Sequence, residues 1–302
     1  MLLRNKRNMS IEDRLKDFKD SIMFERLKQE KPNALDKLSV IAGDICEPFL
    51  GISEESLKLI ENVDILIHSA ATVKFDEPIR DSIRKNVGGT FECVKVASKL
   101  KRLQLFVHVS TYYSNPYDLE VKNIMYPPPM DWKVALKLAD GKSSDELLDS
   151  LSGKCTTKFP NTYTFTKNLA ENVVNDHQHL FPVLITRPSV ILCTRYEPIP
   201  GYTEKFQGVT GIIAFLGTGL LHSLYGKPHE TLDVIWSDLV VNIHLLSIAR
   251  IGLLEQKLSK PEIVLICAYP HDPFDLSSRM KYVVQSQENL PFAKCLASTA
   301  LK

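Results

Sequence analysis

Leu105-Phe106-Val107-His108-Val109-Ser110-Thr111 is an apolar run of strand length that stops on two hydroxyl residues, and runs of the same kind recur along the chain. They lie at Ser39 to Ala42, Val63 to His68, Val183 to Arg187 and Glu262 to Ala268. Between them stand segments with helical periodicity: Ser10 to Gln29, Ser53 to Ile60, Pro78 to Leu100 and Tyr163 to His177. In the first of these, Ile11, Leu15, Phe18 and Ile22 share a face behind a Ser10 cap, with Glu12 and Asp13 in the first turn. Strands alternating with helices predict a doubly wound α/β domain, a parallel sheet covered on both faces.

Such sheets bind ligands at the carboxyl ends of their strands, near the point where strand order reverses. The residues that follow the strands are therefore the candidates. They are Gly43-Asp44-Ile45, His68-Ser69-Ala70-Ala71, Ser110-Thr111-Tyr112 and Arg187-Pro188-Ser189-Val190. In the last helical segment Tyr163 and Lys167 stand four apart, so both fall on one face and an ammonium can bias a phenol toward releasing its proton. Each candidate also has a plain structural use. Asp44 could cap a turn, Ser69-Ala70-Ala71 could be small-residue packing, and Asn86 before Val-Gly-Gly reads equally as a helix C-terminal signal. His68 and His108 read as packed histidines of the core.

With 302 residues, 44% apolar and 24% charged, the chain can bury a large core. A net charge of +1 gives no electrostatic footprint for nucleic acid. Cys46, Cys93, Cys155, Cys193, Cys267 and Cys295 show neither paired nor metal-binding spacing, which predicts reduced thiols in an intracellular protein and no metal site. No apolar run reaches membrane-spanning length, because Asp238, Asn242 and His244 interrupt the most hydrophobic late segment. Peripheral association with a membrane stays open. Residues 1 to 268 are expected to form one domain, with substrate-side insertions at about 117 to 160 and 196 to 228, the second rich in loops and turns, and an irregular tail at 269 to 302.

Taken together and in order, Ala42-Gly43-Asp44, His68 to Phe75, Asn86-Val87-Gly88-Gly89-Thr90, Val107 to Thr111, Tyr126-Pro127-Pro128-Pro129, Pro160 to Lys167, Arg187-Pro188-Ser189 and Glu197-Pro198-Ile199-Pro200-Gly201-Tyr202 resemble the extended short-chain dehydrogenase/reductases. Within that superfamily they are similar to the alcohol-forming fatty acyl-CoA reductases, over roughly residues 1 to 250.

The resemblance implies NADPH as cofactor and a long-chain fatty acyl-CoA as substrate, reduced through an aldehyde to a primary alcohol. Tyr163 would donate the proton and Lys167 would lower its pKa and hold the nicotinamide ribose. Ser110 or Thr111 would hydrogen-bond the carbonyl, with Thr111 favoured by its position in the pattern. Asn86 would belong to the network that positions Lys167. Asp44 and Ile45 would meet the adenine, Ala70 and Ala71 would admit the cofactor closely, and Pro188, Ser189, Val190 and Ile191 would pass beside the nicotinamide. Endoplasmic reticulum or peroxisomal membranes are the implied location.

The chain also departs from the pattern. The family's first strand, glycine loop and first helix have no counterpart, and Met1 to Lys6 resemble the second strand and the basic residues after it. Arg4 is then the candidate for the adenosine 2′-phosphate. Trp236-Ser237 replaces a more usual Pro-Val, and both ends are expected to be truncated. Two alternatives remain: an incompetent reductase serving as a binding or interaction protein, and another extended reductase or epimerase.

Overall fold

The computed structural model describes residues 1–4, 9–118, 120–141, 147–148, 150, 159–221, 231–254, 258–268 and 274–275. Its strands are β1 (Leu2–Leu3), β2 (Ile41–Ala42), β3 (Ile65–His68), β4 (Leu105–Val109), β5 (Val183–Pro188), β6 (Val190–Leu192), β7 (Thr231–Leu232), β8 (Val234–Trp236), β9 (Glu262–Ile266) and β10 (Phe274–Asp275). The α-helices are α1 (Ile11–Lys19), α2 (Glu25–Glu30), α3 (Glu54–Ile60), α4 (Ile79–Ser82), α5 (Gly89–Ala97), α6 (Trp132–Asp140), α7 (Thr162–Asp176), α8 (Gly208–Gly217) and α9 (Ser237–Gly252). Two compact units result: Met1–Pro188 with His244–Leu265, and Ser189–Ile243 with Ile266–Lys302.

In the first unit the main sheet runs β3-β4-β5-β9, with β3, β4 and β5 parallel and paired as Ile65↔Leu105 and Phe106↔Val183. All five expected runs contain a strand, and β4 and β5 show why: apolar runs buried on both faces suit a parallel sheet. Successive side chains alternate between its faces. Phe106, Val183 and Ile185 join the cluster that includes Val94 of α5 and Phe165, Leu169 and Val173 of α7. Leu105, Val107 and Leu184 point the other way, against Ile248 and Ile251 of α9 and Val264 of β9. Each such side chain contributes about 1.5–3 kcal/mol when fully buried. Ile65 and Ile67, in register with Leu105 and Val107, stay 42% and 54% exposed. β1 and β2 form a separate parallel pair.

Several local readings are corrected. The helix expected over Ser10 to Gln29 breaks into α1, a 3-10 turn at Ile22–Phe24 and α2, because Ser21 caps the turn through the Met23 N–H. The helix expected over Pro78 to Leu100 contains a π-helical turn at Ile83–Gly88, so Asn86 lies inside the helix and is not a terminal signal. Within the insertion at 117 to 160, α6 is anchored by buried Trp132, whose Nε1 donates to Asp176 Oδ2 at 2.9 Å. The stretch from 196 to 228, read as loops and turns, holds α8 over Gly208–Gly217. Of the expected tail, only Phe274–Asp275 falls among the described residues, paired antiparallel with β7.

In the second unit β6 pairs parallel with β8, and Leu192 and Val234 pack with Val209 and Ile213 of α8. No described helix is long and apolar enough to cross a membrane.

Candidate active site

Asn161 caps α7 by accepting from the Thr164 N–H at 2.9 Å, which makes Tyr163 the second residue of the helix. That position favours a phenolate through the positive end of the helix dipole. Tyr163 is half-buried beside the Phe75 ring, centroid to centroid 5.8 Å. Lys167 lies one turn deeper and is buried, its Nζ donating to the Val109 carbonyl at 2.7 Å. Thr111 stands two residues past the end of β4, its Oγ1 accepting from the Tyr113 N–H at 3.3 Å and its side chain facing the Tyr163 hydroxyl. The three residues expected to do chemistry therefore meet where β4 ends and α7 begins.

Burial raises the Tyr163 pKa, and the hydrogen bond with Thr111 acts in the other direction. Burial sets the net direction, which is opposite to the lowering that a Lys167 ammonium beside the phenol would give. Burial in turn drops the Lys167 pKa to about 8, with Glu171 opposing the fall.

The open choice between Ser110 and Thr111 is narrowed by what each hydroxyl already does. Ser110 is buried and donates to Glu171 Oε1, while Thr111 holds the phenol. Asn86 sits behind this group. Its Oδ1 accepts from the Thr72 N–H at 2.8 Å, and its Nδ2 donates to the Thr72 carbonyl at 3.2 Å and the Thr166 hydroxyl at 2.9 Å. The Thr166 hydroxyl also meets Ser82 at 3.1 Å and donates to the Thr162 carbonyl at 2.8 Å. Asn86 thus ties the π turn to α7 between the tyrosine and the lysine, touching neither.

Arg4, Asp44, Ile45, Ala70 and Ala71 line one cavity of about 690 Å³, together with Leu2, Ile41, Leu66 and Val96. Asp44 does cap a turn, since its Oδ1 accepts from the Cys46 N–H at 2.9 Å. Its Oδ2 lies 3.9 Å from Arg4 Nε, and the Arg4 side chain is 69% exposed. Gly43 permits the close approach here, because a Cβ would stand 2.4 Å from Leu2 Cδ1 and 2.6 Å from the Leu50 carbonyl oxygen. Pro188 ends β5 and is buried. Ser189, Val190 and Ile191 belong to the second unit, where Val190 and Ile191 pair with Val234 and Ile235.

His68 and His108 are core residues with rings 5.5 Å apart. Burial first, and the Lys167 charge second, lower the His68 pKa to about 3 and put that of His108 well below the usual imidazole range. Both are neutral.

Two features escaped sequence reasoning. Glu171 and Arg187 form a fully buried ion pair, Nη2 to Oε2 at 2.7 Å and Nε to Oε1 at 2.9 Å. Glu171 stands four residues after Lys167, and that spacing was the available signal. In the second unit Asp238 accepts from the N–H groups of Arg195, Tyr196 and Glu197 at 2.9, 2.9 and 3.3 Å. Burial alone would raise its pKa, but these donors bring it below the ordinary value.

Comparison with known proteins adds a family to this geometry. A family model described as male sterility protein, an NAD-binding family, matches residues 1–244. Fatty acyl-CoA reductase 1 of Xenopus laevis is 34% identical over 246 residues, covering 81% of this chain and 48% of the relative. Fatty acyl-CoA reductase 1 of Homo sapiens is 34% identical over 248 residues with the same coverage, 81% and 48%. The chain thus spans about half the length of the curated relatives it matches. Among solved structures, the terminal R domain from the myxalamid PKS-NRPS biosynthetic pathway superposes with a TM-score of 0.62 at 19% identity, over 94% of this chain and 62% of that one. That likeness concerns the fold, a Rossmann-like parallel sheet with flanking helices. With a match that spans residues 1–244, and so the strand ends after β2, β3, β4 and β5, the chain belongs to the male sterility protein family of NAD-binding domains.

Proposed function

We propose that residues 1 to 268 act as the reductase domain of an NADPH-dependent enzyme that converts long-chain fatty acyl-CoA through an aldehyde to a primary alcohol. The observation that carries this reading is the convergence of Thr111, Tyr163 and buried Lys167 at the end of β4. A nicotinamide cofactor fits the residues present: Arg4 and Asp44 offer a guanidinium and a carboxylate in a largely apolar cavity that Ser69, Ala70 and Ala71 line with small side chains. When bound, that cofactor supplies the hydride.

The chain's own residues handle the oxygen and its proton. Thr111 donates to the substrate carbonyl and stabilises negative charge as it develops there. Tyr163 delivers the phenolic proton to that oxygen, and the Lys167 ammonium offsets the phenolate left behind. In the first reduction the thioester would become a hemithioacetal, whose hydroxyl returns its proton to the Tyr163 phenolate as the C–S bond breaks, leaving the aldehyde and releasing CoA as a thiolate that takes a proton from solvent. In the second, the aldehyde gains hydride and the Tyr163 proton to become an alcohol. Arg4 selects NADPH by pairing with its 2′-phosphate. Peripheral contact with endoplasmic reticulum or peroxisomal membranes belongs to the same reading.

The test is NADPH oxidation by the purified chain with long-chain acyl-CoA, alongside Tyr163→Phe. Full activity in the variant would sink the role of Tyr163. A second reading, a non-catalytic acyl-binding or interaction protein, is favoured by the exposure of Arg4 and the brevity of β1 and β2. Titration of NADPH against the chain separates the two: saturable micromolar binding supports the enzyme, and none supports the binding protein.

A further inference from the structure

One turn beyond Lys167, α7 buries a carboxylate to which the proposed reaction gives no task. Glu171 Oε1 accepts from the Ser110 hydroxyl, from Ser114 Oγ at 2.9 Å and from Arg187 Nε at 2.9 Å, while Oε2 accepts from Arg187 Nη2 at 2.7 Å. Arg187 is itself clamped, its Nη1 donating to the Lys122 carbonyl and its Nη2 to the Ile124 carbonyl, both at 3.0 Å. Tyr126 lies against the guanidinium, 5.4 Å from ring centroid to Cζ. A buried ion pair rarely repays its desolvation by attraction alone. Simple stability therefore does not account for placing one here.

The surroundings of Lys167 suggest what does. The ionisable groups near it are Tyr163 and Glu171 on α7, His68 on β3, His108 on β4 and Arg187 on β5. Both imidazoles are neutral, so Glu171 is the anion of the set. We propose that Glu171, fixed by Arg187, is a positioning residue that sustains the ammonium of Lys167 for the reaction. The inference rests on the proposed reductase reading for its purpose, but the charge relation can be measured without turnover. Burial works against the ammonium, and Glu171 is the influence that opposes it. The clamp on Arg187 matters because a mobile guanidinium could swing toward Lys167 and cancel that influence.

The experiment follows the Lys167 side chain of the whole protein by carbon and nitrogen NMR as pH is raised, its signal identified by loss in Lys167→Met. Glu171→Gln should lower the titration midpoint by about one pH unit, a tenfold loss of proton affinity. Arg187→Gln should raise it, since the carboxylate is then left uncompensated. A merely structural pair would move both midpoints the same way. If either single variant fails to fold, Glu171→Gln with Arg187→Gln preserves size and hydrogen bonding, and the midpoint should still fall because the carboxylate one helical turn from Lys167 is lost. An unchanged midpoint in Glu171→Gln, or in the double variant, overturns the inference. If the midpoint moves as stated while the parent chain never oxidises NADPH, the reductase reading fails and the charge relation stands.

Discussion

The two ends of the candidate site are built to different standards. At the chemical end, every residue of α7 from Thr164 to Val174 is buried, and Glu171, Arg187, Asn86 and Thr166 brace it with charged and neutral hydrogen bonds. At the end proposed to meet the adenosine, Arg4 and Asp44 stand just past strands of two residues each and approach no closer than 3.9 Å. The first end stores its geometry in desolvated contacts that cost free energy to disturb. The second relies on groups that water competes for, and exposed pairs of that kind contribute about 0–1 kcal/mol. On the proposed reading, the groups that act on the carbonyl are braced by the protein's own contacts, whereas those assigned to the cofactor are not.

Substitutions can break or sharpen this contrast. The largest effect is expected from Arg187→Ala, which strands a buried carboxylate and should cost about 3–5 kcal/mol of stability in urea unfolding. A loss under 1 kcal/mol would mean that the chemical end is softer than its contacts indicate. Thr111→Ala should follow, lowering turnover about 10²–10³-fold with little change in unfolding free energy. Equal damage to both would assign Thr111 to the fold.

Acid should separate the ends next. His68 has its pKa lowered from 6.5 to about 3, so the unfolded chain binds protons that the folded chain refuses. The stability this brings is complete above pH 6.5 and is lost as pH falls toward 3, at about 1.4 kcal/mol per pH unit, with His108 adding in the same sense. His68→Asn, followed by unfolding at two pH values, should flatten that slope.

Lys167→Met should remove a slope of the same sign in the alkaline range, between about 8 and 10.5. The folded pKa of about 8 lies below the ordinary 10.5, so at neutral pH the buried ammonium is a cost that eases only as pH rises through that window. Its removal should abolish turnover yet stabilise the fold by about 1–2 kcal/mol, after the lost bond to Val109 is offset. Arg4→Ala should be mildest, leaving stability unchanged and weakening NADPH more than NADH by about tenfold or less.

Much of the chemical end was legible in sequence because its signals are local or periodic. The strands leading to Ala70, Thr111 and Pro188 are continuous apolar runs, and Tyr163 and Lys167 share a helix face. What escaped was long-range or ambiguous. Arg187 looked like strand-end punctuation, since nothing local says that a guanidinium will be wholly buried against a carboxylate sixteen residues earlier. Glycines at both ends and apolar residues throughout made α8 look like turns. Asn86 before paired glycines imitated a helix stop, because the π turn that carries it has no compositional marker.

That π turn has a consequence for how this chain can tolerate change in length. An α-helix advances about 100° per residue, and a π turn absorbs one surplus residue without disturbing either flank. Deleting a residue within Ile83–Gly88 would let an ordinary helix form, with better backbone geometry than the native one. With both flanks held in register, Ser82 before the turn and Thr90, Cys93 and Val94 after it would keep their buried sides, and the deletion would damage the site only where it removed Asn86, whose side chain bonds Thr72 and Thr166. In this stretch the identity of Asn86 is therefore more tightly constrained than the number of residues around it, and a one-residue deletion that spared Asn86 would be the milder lesion.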